Sequence, residues 1–397
     1  MRCFFRSFDV GTGDCHIIRL IKEDGNQFSI MVDCGCYTQT LKEYLSDVLH
    51  DKIDLLIATH IDSDHIKGLA NMLKNHPNLK IDKIWYNGYR RNNSNEEIKL
   101  NNQQKAIINQ IKKVLPLEFD AIGYKEISAE NGMTLAQIIL DNEELSRVWE
   151  KEPITTDRNN VSLPEGFGEI IILSPEPVAL DIIDKMFKDA FDTYFMQQWN
   201  ESLEKGENLQ ELLIRLVDAY SDKKEIKLIS ASRHFNIKSA DDIRMIAKEE
   251  GIDKSKTNLS SIAFVLKCGD HKIALLGDAH DSVLISSLEN KFTEEQPVYF
   301  DAIKVSHHGS INNNSRLLWS KINSHRIFIS GSRSDEYPSI GTIGKIAETI
   351  KDEESKIIIF NRESTNSEKI NSLSDEIKNS LGIETEISEE EYELFEW

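Results

Sequence analysis

The stretch from Ala58 to His65, ATHIDSDH, places two histidines and two aspartates at the end of an apolar run. Imidazole nitrogen and carboxylate oxygen together form a donor set suited to Zn, Mn or Fe. His60, Asp62, Asp64 and His65 are therefore candidate metal ligands. A competing reading makes Asp62 and Asp64 mere caps of a helix that begins near Ile66, which accounts for one aspartate and for neither histidine. Two further signals end apolar runs far along the chain: Asp278 in LLGD, and His307 and His308 in VSHHGS. Together with the first cluster they supply what a two-metal site needs. Asp278 could bridge two ions ~3.5–4 Å apart.

The elements that must position these groups are legible as alternating strands and turns. The run from Ile53 to Thr59 reads as a buried strand, so the polar residues after it sit on a loop at its end. Such loops aim several side chains at one point while the scaffold stays rigid. CFFRSFDVG, CHIIRLI, FSIMVDCG, IDLLIATH and IDKIWYNG are strand candidates, and the last two flank a helix expected over Ile66 to Asn75. A polar and then helical excursion follows over about 90–165, with Ile107, Ile108, Ile111, Val114 and Leu115 at helix spacing. EIIILSPEP returns to the sheet. Apolar stripes from Ile182 to Phe195 and from Leu209 to Tyr220 predict a mainly helical insertion over 178–255.

Sheet-like text resumes at SIAFVLKCGDHKIALLGDAH, with a turn at Gly269-Asp270. FDAIKVSHHGS, RIFISGS and KIIIFN follow, separated by helical text such as SRLLWSKI and TIGKIAETI. The expected organisation is α/β: residues 1–177 as the first part of one domain, 178–255 as the insertion, and 256–397 as the second part. The tail ISEEEYELFEW is acidic and aromatic, and its aromatics are expected on the chain's own core.

The chain has 397 residues, 40% hydrophobic and 29% charged, as in soluble globular proteins. Its net charge of −20 opposes nonspecific polyanion binding over most of the surface, so any nucleic-acid contact must be local. The opening MRCFFRSFDVG is too short and too charged for a signal peptide, and no apolar run approaches the ~20 residues that span a bilayer. Cys3, Cys15, Cys34, Cys36 and Cys268 lack CxxC pairing and read as reduced, mostly buried thiols. A cytoplasmic protein without a membrane association is expected.

The motifs point further. FDVGTGDCHIIRL resembles V-G-x-G-D, FSIMVDCG resembles I-D-x-G, and ATHIDSDHIKGL resembles T-H-x-H-x-D-H-x-G-G-L. NLSSIAFVL, ALLGD and DAIKVSHHGS resemble N-x-x-S-x-V-L, L-x-T-G-D and D-V-L-K-V-x-H-H-G-S. In this order they resemble the metallo-β-lactamase fold hydrolases, and within them the ComEC-type soluble domain, over residues 5–75 and 256–345. That resemblance implies a metallo-β-lactamase-type αββα sandwich with two divalent ions, Zn or Mn, at one edge. It implies His60 and Asp62 on one metal, Asp64 and His65 on the second, Asp278 between them, and His307 or His308 completing the site. Asp62 stands where relatives have His, which favours Mn or Mg over Zn. Tyr337, in DEYPS, stands where relatives carry a late His, with Asp335, Glu336 or His308 available to compensate.

By the same resemblance the function is metal-dependent hydrolysis, with a phosphodiester in DNA or RNA as substrate. A bound metal would lower the pKa of its water toward ~7. Asp64 or Asp278 would orient that water, and His308 would contact the scissile group, making these the catalytic candidates. The hydrolase could belong to a multi-gene bacterial defence-type system; alternatives are a small phosphodiester, thioester or lactone as substrate, or a partner-binding component with a degenerate metal site. In that last case the helical insertion or the C-terminal tail would meet a protein partner. Asp14 and Asp33 read as props for ligand loops, Asn258 as an amide donor or a turn residue, and His280 as a further ligand candidate. Cys34 and Cys36 read as structural thiols, and Arg90-Arg91 as a surface loop or a grip on a nucleic-acid backbone.

Overall fold

In Ala263–Cys268 successive side chains go to opposite faces: Phe264, Leu266 and Cys268 enter one apolar cluster, Ala263 and Val265 another. Apolar residues on both faces suit a strand covered on both sides. The same pattern in the other strands builds two sheets. The computed structural model describes residues 1–87, 135–182, 237–331, 337–349 and 355–396. The Arg90-Arg91 loop, the stripe from Ile107 to Leu115, the stripes beyond Ile182, and Asp335, Glu336 and Trp397 lie outside the described residues.

The first sheet holds β1 (Arg2–Ser7), β2 (His16–Ile21), β3 (Gln27–Val32), β4 (Leu55–Ala58), β5 (Ile84–Tyr86) and β14 (Glu391–Glu396). The second holds β6 (Val161–Ser162), β7 (Glu169–Ser174), β8 (Ala263–Cys268), β9 (His271–Leu275), β10 (Ala302–Lys304), β11 (Arg326–Ile329), β12 (Lys356–Phe360) and β13 (Ile383–Ile387). Their orders are β14-β1-β2-β3-β4-β5 and β13-β12-β11-β10-β9-β8-β7-β6. Strands β3, β4 and β5 run parallel, as do β9 to β13. The hairpin of β8 and β9 turns at Gly269, whose φ of +61° is open to a residue without a Cβ.

Side chains from both sheets, among them Phe5, Ile30, Trp85, Ile172, Phe264 and Phe328, share one core between them. A second cluster joins the outer face of the first sheet to α1 (Gln39–Asp47), α2 (Ser63–Asn75) and the helix Leu135–Asp141. A third lies between the second sheet and helices that include Asp281–Lys291 and Ile340–Glu348. The layers are helix, sheet, sheet, helix, the αββα sandwich that the motif resemblance implies.

The end of the stretch expected as an insertion contributes to this third cluster: Ala240, Ile243 and Ile246 of the helix Ala240–Ile246 pack there. The tail forms β14, paired antiparallel with β1, and buries Leu394 and Phe395 in the core between the sheets. No helix among the described residues is long and apolar enough to cross a membrane.

Candidate metal centre

The parallel strands end on one edge, and the ligand-type residues follow those ends. Asp33 comes after β3, His60 after β4, Asp278 after β9, His307 and His308 after β10, and Ser330 after β11. Helix α2 begins at Ser63, three residues before the expected start at Ile66. Asp62, extended at φ −66° and ψ 141°, is its N-cap, yet its carboxylate makes no capping hydrogen bond. The capping reading therefore fails for Asp62, whose Oδ2 instead accepts from Thr257 Oγ1 at 3.2 Å and lies 3.4 Å from His60 Nε2. Asp64 and His65 sit in the first helical turn.

Each of three buried histidines is held through Nδ1. His65 Nδ1 meets Asp33 Oδ2 at 2.7 Å, His60 Nδ1 meets Thr59 Oγ1 at 3.0 Å, and His308 Nδ1 meets Ser330 Oγ at 3.1 Å. Asp33 also accepts from the Thr59 amide and hydroxyl, both at 2.7 Å, so one carboxylate steadies two rings. A ring donating at Nδ1 keeps its lone pair at Nε2, the form in which imidazole binds metal. Nε2 of His60, His65 and His308, with Asp278 Oδ1, are buried without a hydrogen-bond partner among the described residues. Buried polar atoms left so are costly unless something else meets them. Divalent cations held by these residues would meet such atoms.

The spacing agrees. Asp278 Oδ2 lies 3.4 Å from His65 Nε2, 3.8 Å from His307 Nε2 and 4.0 Å from His308 Nε2. Two bonds of ~2.1 Å at a tetrahedral angle separate ligand atoms by ~3.4 Å. His60, His65 and Asp278 form one group whose ligand atoms all fall within 4.8 Å, and Asp64, His65 and His308 form another. The resemblance divides His60 and Asp62 from Asp64 and His65; the geometry instead gives both groups His65. His307 stands beside Asp278 with its Nδ1 on Asn313 Oδ1 at 2.9 Å, and Asp62 borders His60; neither belongs to a group of three.

Charges in this edge oppose each other. Burial works to raise the Asp278 carboxyl, but the rings of His65, His307 and His308 hold it well below the ordinary range. Burial and the nearby Lys304 push His308 down to about 4 against the pull of Asp278, Asp14 and Asp64. His65, though buried, is held well above its ordinary value by Asp278 and Asp33. Asp14, fully buried on the β1–β2 loop, is in contact with Lys304 Nζ and accepts from Ser330. Lys304 went unremarked in the sequence, although a lysine inside the apolar run AIKV was its signal.

The lesser candidates find definite places. His280 Nε2 is taken by the Ser255 carbonyl at 2.8 Å, away from both ligand groups. Asn258 brings its amide within 3.3 Å of His307 Nδ1. Cys34 is buried, its thiol pushed well up by burial and by Cys15, while Cys36 is exposed. Tyr337 lies beside His307, the rings tilted by 52° with centroids 5.6 Å apart.

Gly13 explains why the loop before Asp14 is glycine-rich. Its φ is +106°, and a Cβ there would lie 1.7 Å from the Asp64 carbonyl oxygen, which the Asp14 amide meets at 3.2 Å. Gly13→Ala is expected to lower stability by ~2 kcal/mol or more, read by urea unfolding, because a strained φ and a backbone clash coincide. Wild-type stability would show that this loop does not need its close approach.

No curated protein matches the chain. Among solved structures, the metallo-beta-lactamase fold protein YhfI from Bacillus subtilis aligns at 9% identity and a TM-score of 0.38, covering 99% of this chain and 100% of that one. A diphosphatase from the PhnP family aligns at 11% identity and a TM-score of 0.37, covering 99% of this chain and 97% of that one. Residues 9–81, which carry Asp14, Asp33, His60, Asp62, Asp64 and His65, match the model of the Metallo-beta-lactamase superfamily, so this half of the candidate centre lies in the matched segment.

Proposed function

We propose that the chain is a metal-dependent hydrolase of phosphodiesters, with a nucleic acid as substrate. The observation that carries the reading is the single Asp278 carboxylate faced by three imidazole nitrogens, with its other oxygen and the ring nitrogens of His60, His65 and His308 unsatisfied. His60, His65 and Asp278 would hold one divalent ion through the single lone pair of His65 Nε2, and Asp64 and His308, the other members of the second group, are placed toward a second ion. Metals so held supply Lewis acidity and a water of lowered pKa.

The chain's own residues favour an anionic substrate. Helix α2 starts at the site, so the positive end of its dipole favours negative charge there. Lys304 adds a buried positive charge behind Asp14 and Asp278. A net charge of −20 confines polyanion contact to this edge and gives weight to a second reading, a small phosphodiester. Steep salt dependence of binding to oligonucleotides marks the polymer; its absence together with turnover marks the small substrate.

The test starts from chelator-treated protein. Hydrolysis of bis(p-nitrophenyl) phosphate and of short DNA and RNA strands is expected only after Mn or Zn is restored. Metal-loaded protein that cleaves none of these would overturn the reading. Asp62→His should tilt preference from Mn toward Zn by ~10-fold in competition binding, since a carboxylate oxygen beside His60 becomes a softer imidazole. Unchanged selectivity would place Asp62 outside the metal's reach.

A further inference from the structure

We infer that Asp253 is a positioning residue for His307, and that Asp253–Asn258 is a latch fastening the two halves of the candidate centre. This rests on the metal-site reading above. Asp253 Oδ2 accepts from Asn313 Nδ2 at 2.6 Å and from Asn258 Nδ2 at 2.8 Å, and it lies 3.6 Å from His307 Nδ1. Its side chain is 9% exposed. The two asparagines it gathers lie at His307 Nδ1: Asn313 Oδ1 accepts from the ring at 2.9 Å, and the Asn258 amide nitrogen packs 3.3 Å away. One carboxylate therefore fixes both partners of the ring, and the ring's other nitrogen faces Asp278 Oδ2 at 3.8 Å.

The same short segment reaches the other loops. Thr257 Oγ1 donates to Asp62 Oδ2 at 3.2 Å, on the loop that leaves the first sheet. The Ser255 carbonyl accepts from His280 Nε2 at 2.8 Å, two residues past Asp278 on the second sheet. The Asp253 amide bonds the Asn312 carbonyl at 3.2 Å, tying in the stretch that carries Asn313. The latch thus contacts the Asp62, Asp278 and His307 loops at once. His307 belongs to neither group of three and acts on the centre through Asp278 Oδ2; removing such outer partners of a ligand changes metal affinity about 10–100-fold.

The test uses the full chain carrying Asp253→Asn, Asp253→Ala or, as a control, Asp278→Asn. Mn affinity is measured by chelator competition, kcat and KM with bis(p-nitrophenyl) phosphate, and unfolding on the metal-free protein. Asp253→Asn keeps the size and one acceptor oxygen, so it is expected to fold as the parent does and to weaken Mn binding ~10-fold. Asp253→Ala should weaken it toward ~100-fold, with kcat falling more than KM rises. If Asp278→Asn loses metal while both Asp253 variants keep parental affinity and kcat, the latch is wrong and the site stands. If Asp278→Asn keeps its full metal, Asp278 is not a ligand, and the latch, which reaches the metal through it, fails as well.

Discussion

Replacing Asp278 by Asn is expected to strip bound divalent metal and to slow phosphodiester hydrolysis ~10³-fold or more, a loss of about 4 kcal/mol at the transition state. The substitution is isosteric, and the contacts that hold the backbone here survive it: the Asp278 amide still donates to Ser261 Oγ at 3.0 Å, and its carbonyl still accepts from Asn313 at 3.2 Å. What changes is the group that faces three imidazole nitrogens. An amide carries no charge to balance a dication, and its NH₂ offers a donor where Oδ1 or Oδ2 offered a lone pair.

Metal per chain by elemental mass spectrometry and initial rates on the same preparation check the prediction together. Loss of both equivalents supports a shared ligand. Retention of both ions with a tenth or more of the parental rate would remove Asp278 from the centre. Loss of rate with full metal would instead make its carboxylate a proton acceptor rather than a ligand.

The two sheets and the site's place on them were legible because strand patterning and ligand chemistry are local. ATHIDSDH, LLGD and VSHHGS each end an apolar run, and parallel strands carry such ends to one edge. How the ligands divide was not legible. Asp64 and His65 are adjacent in sequence, but successive residues of a helix point ~100° apart. Starting α2 at Ser63 puts both on that geometry, so His65 turns toward His60 and Asp278 while Asp64 turns toward His308. The start at Ser63 is not visible in the pattern because the apolar periodicity begins only at Ile66, and the Asp62 carboxylate at the N-cap turns to Thr257 instead of capping.

One prop, Asp253, is hidden for the same reason. Asp253 meets Asn313 from sixty residues away in sequence, and GIDKSKTN has no ligand spacing to announce it. Asp14 and Asp33 were expected to steady ligand loops, and they meet Ser330 and His65 respectively. Their partners Thr59 and Lys304, small or cationic groups in apolar runs, gain meaning only once the strands are side by side.

Lys304→Met should destabilise the metal-free protein by ~3–5 kcal/mol, the range for removing one partner of a buried ion pair. Lys304 is 1% exposed, in contact with Asp14, bonded to the Gly277 carbonyl at 3.1 Å and 3.9 Å from Asp278 Oδ1. Methionine fills much the same volume, so packing is largely kept and the effect is electrostatic. Asp14, Asp33 and Asp278 then face one another with only the histidines to offset them, and carboxylates in a dry edge cannot stay charged cheaply. Asp14→Asn with Lys304→Met should recover much of the loss, since the double change removes both desolvation penalties. Urea unfolding of the four proteins gives the coupling, expected at ~2 kcal/mol or more; a value near zero would show that the pair does not act as one. Bound metal supplies positive charge to the same carboxylates and binds only the folded chain. Lys304→Met must therefore cost less stability in the loaded protein than in the metal-free one. Equal losses in the two states would mean that Lys304 and the metal do not share the charge of Asp14 and Asp278.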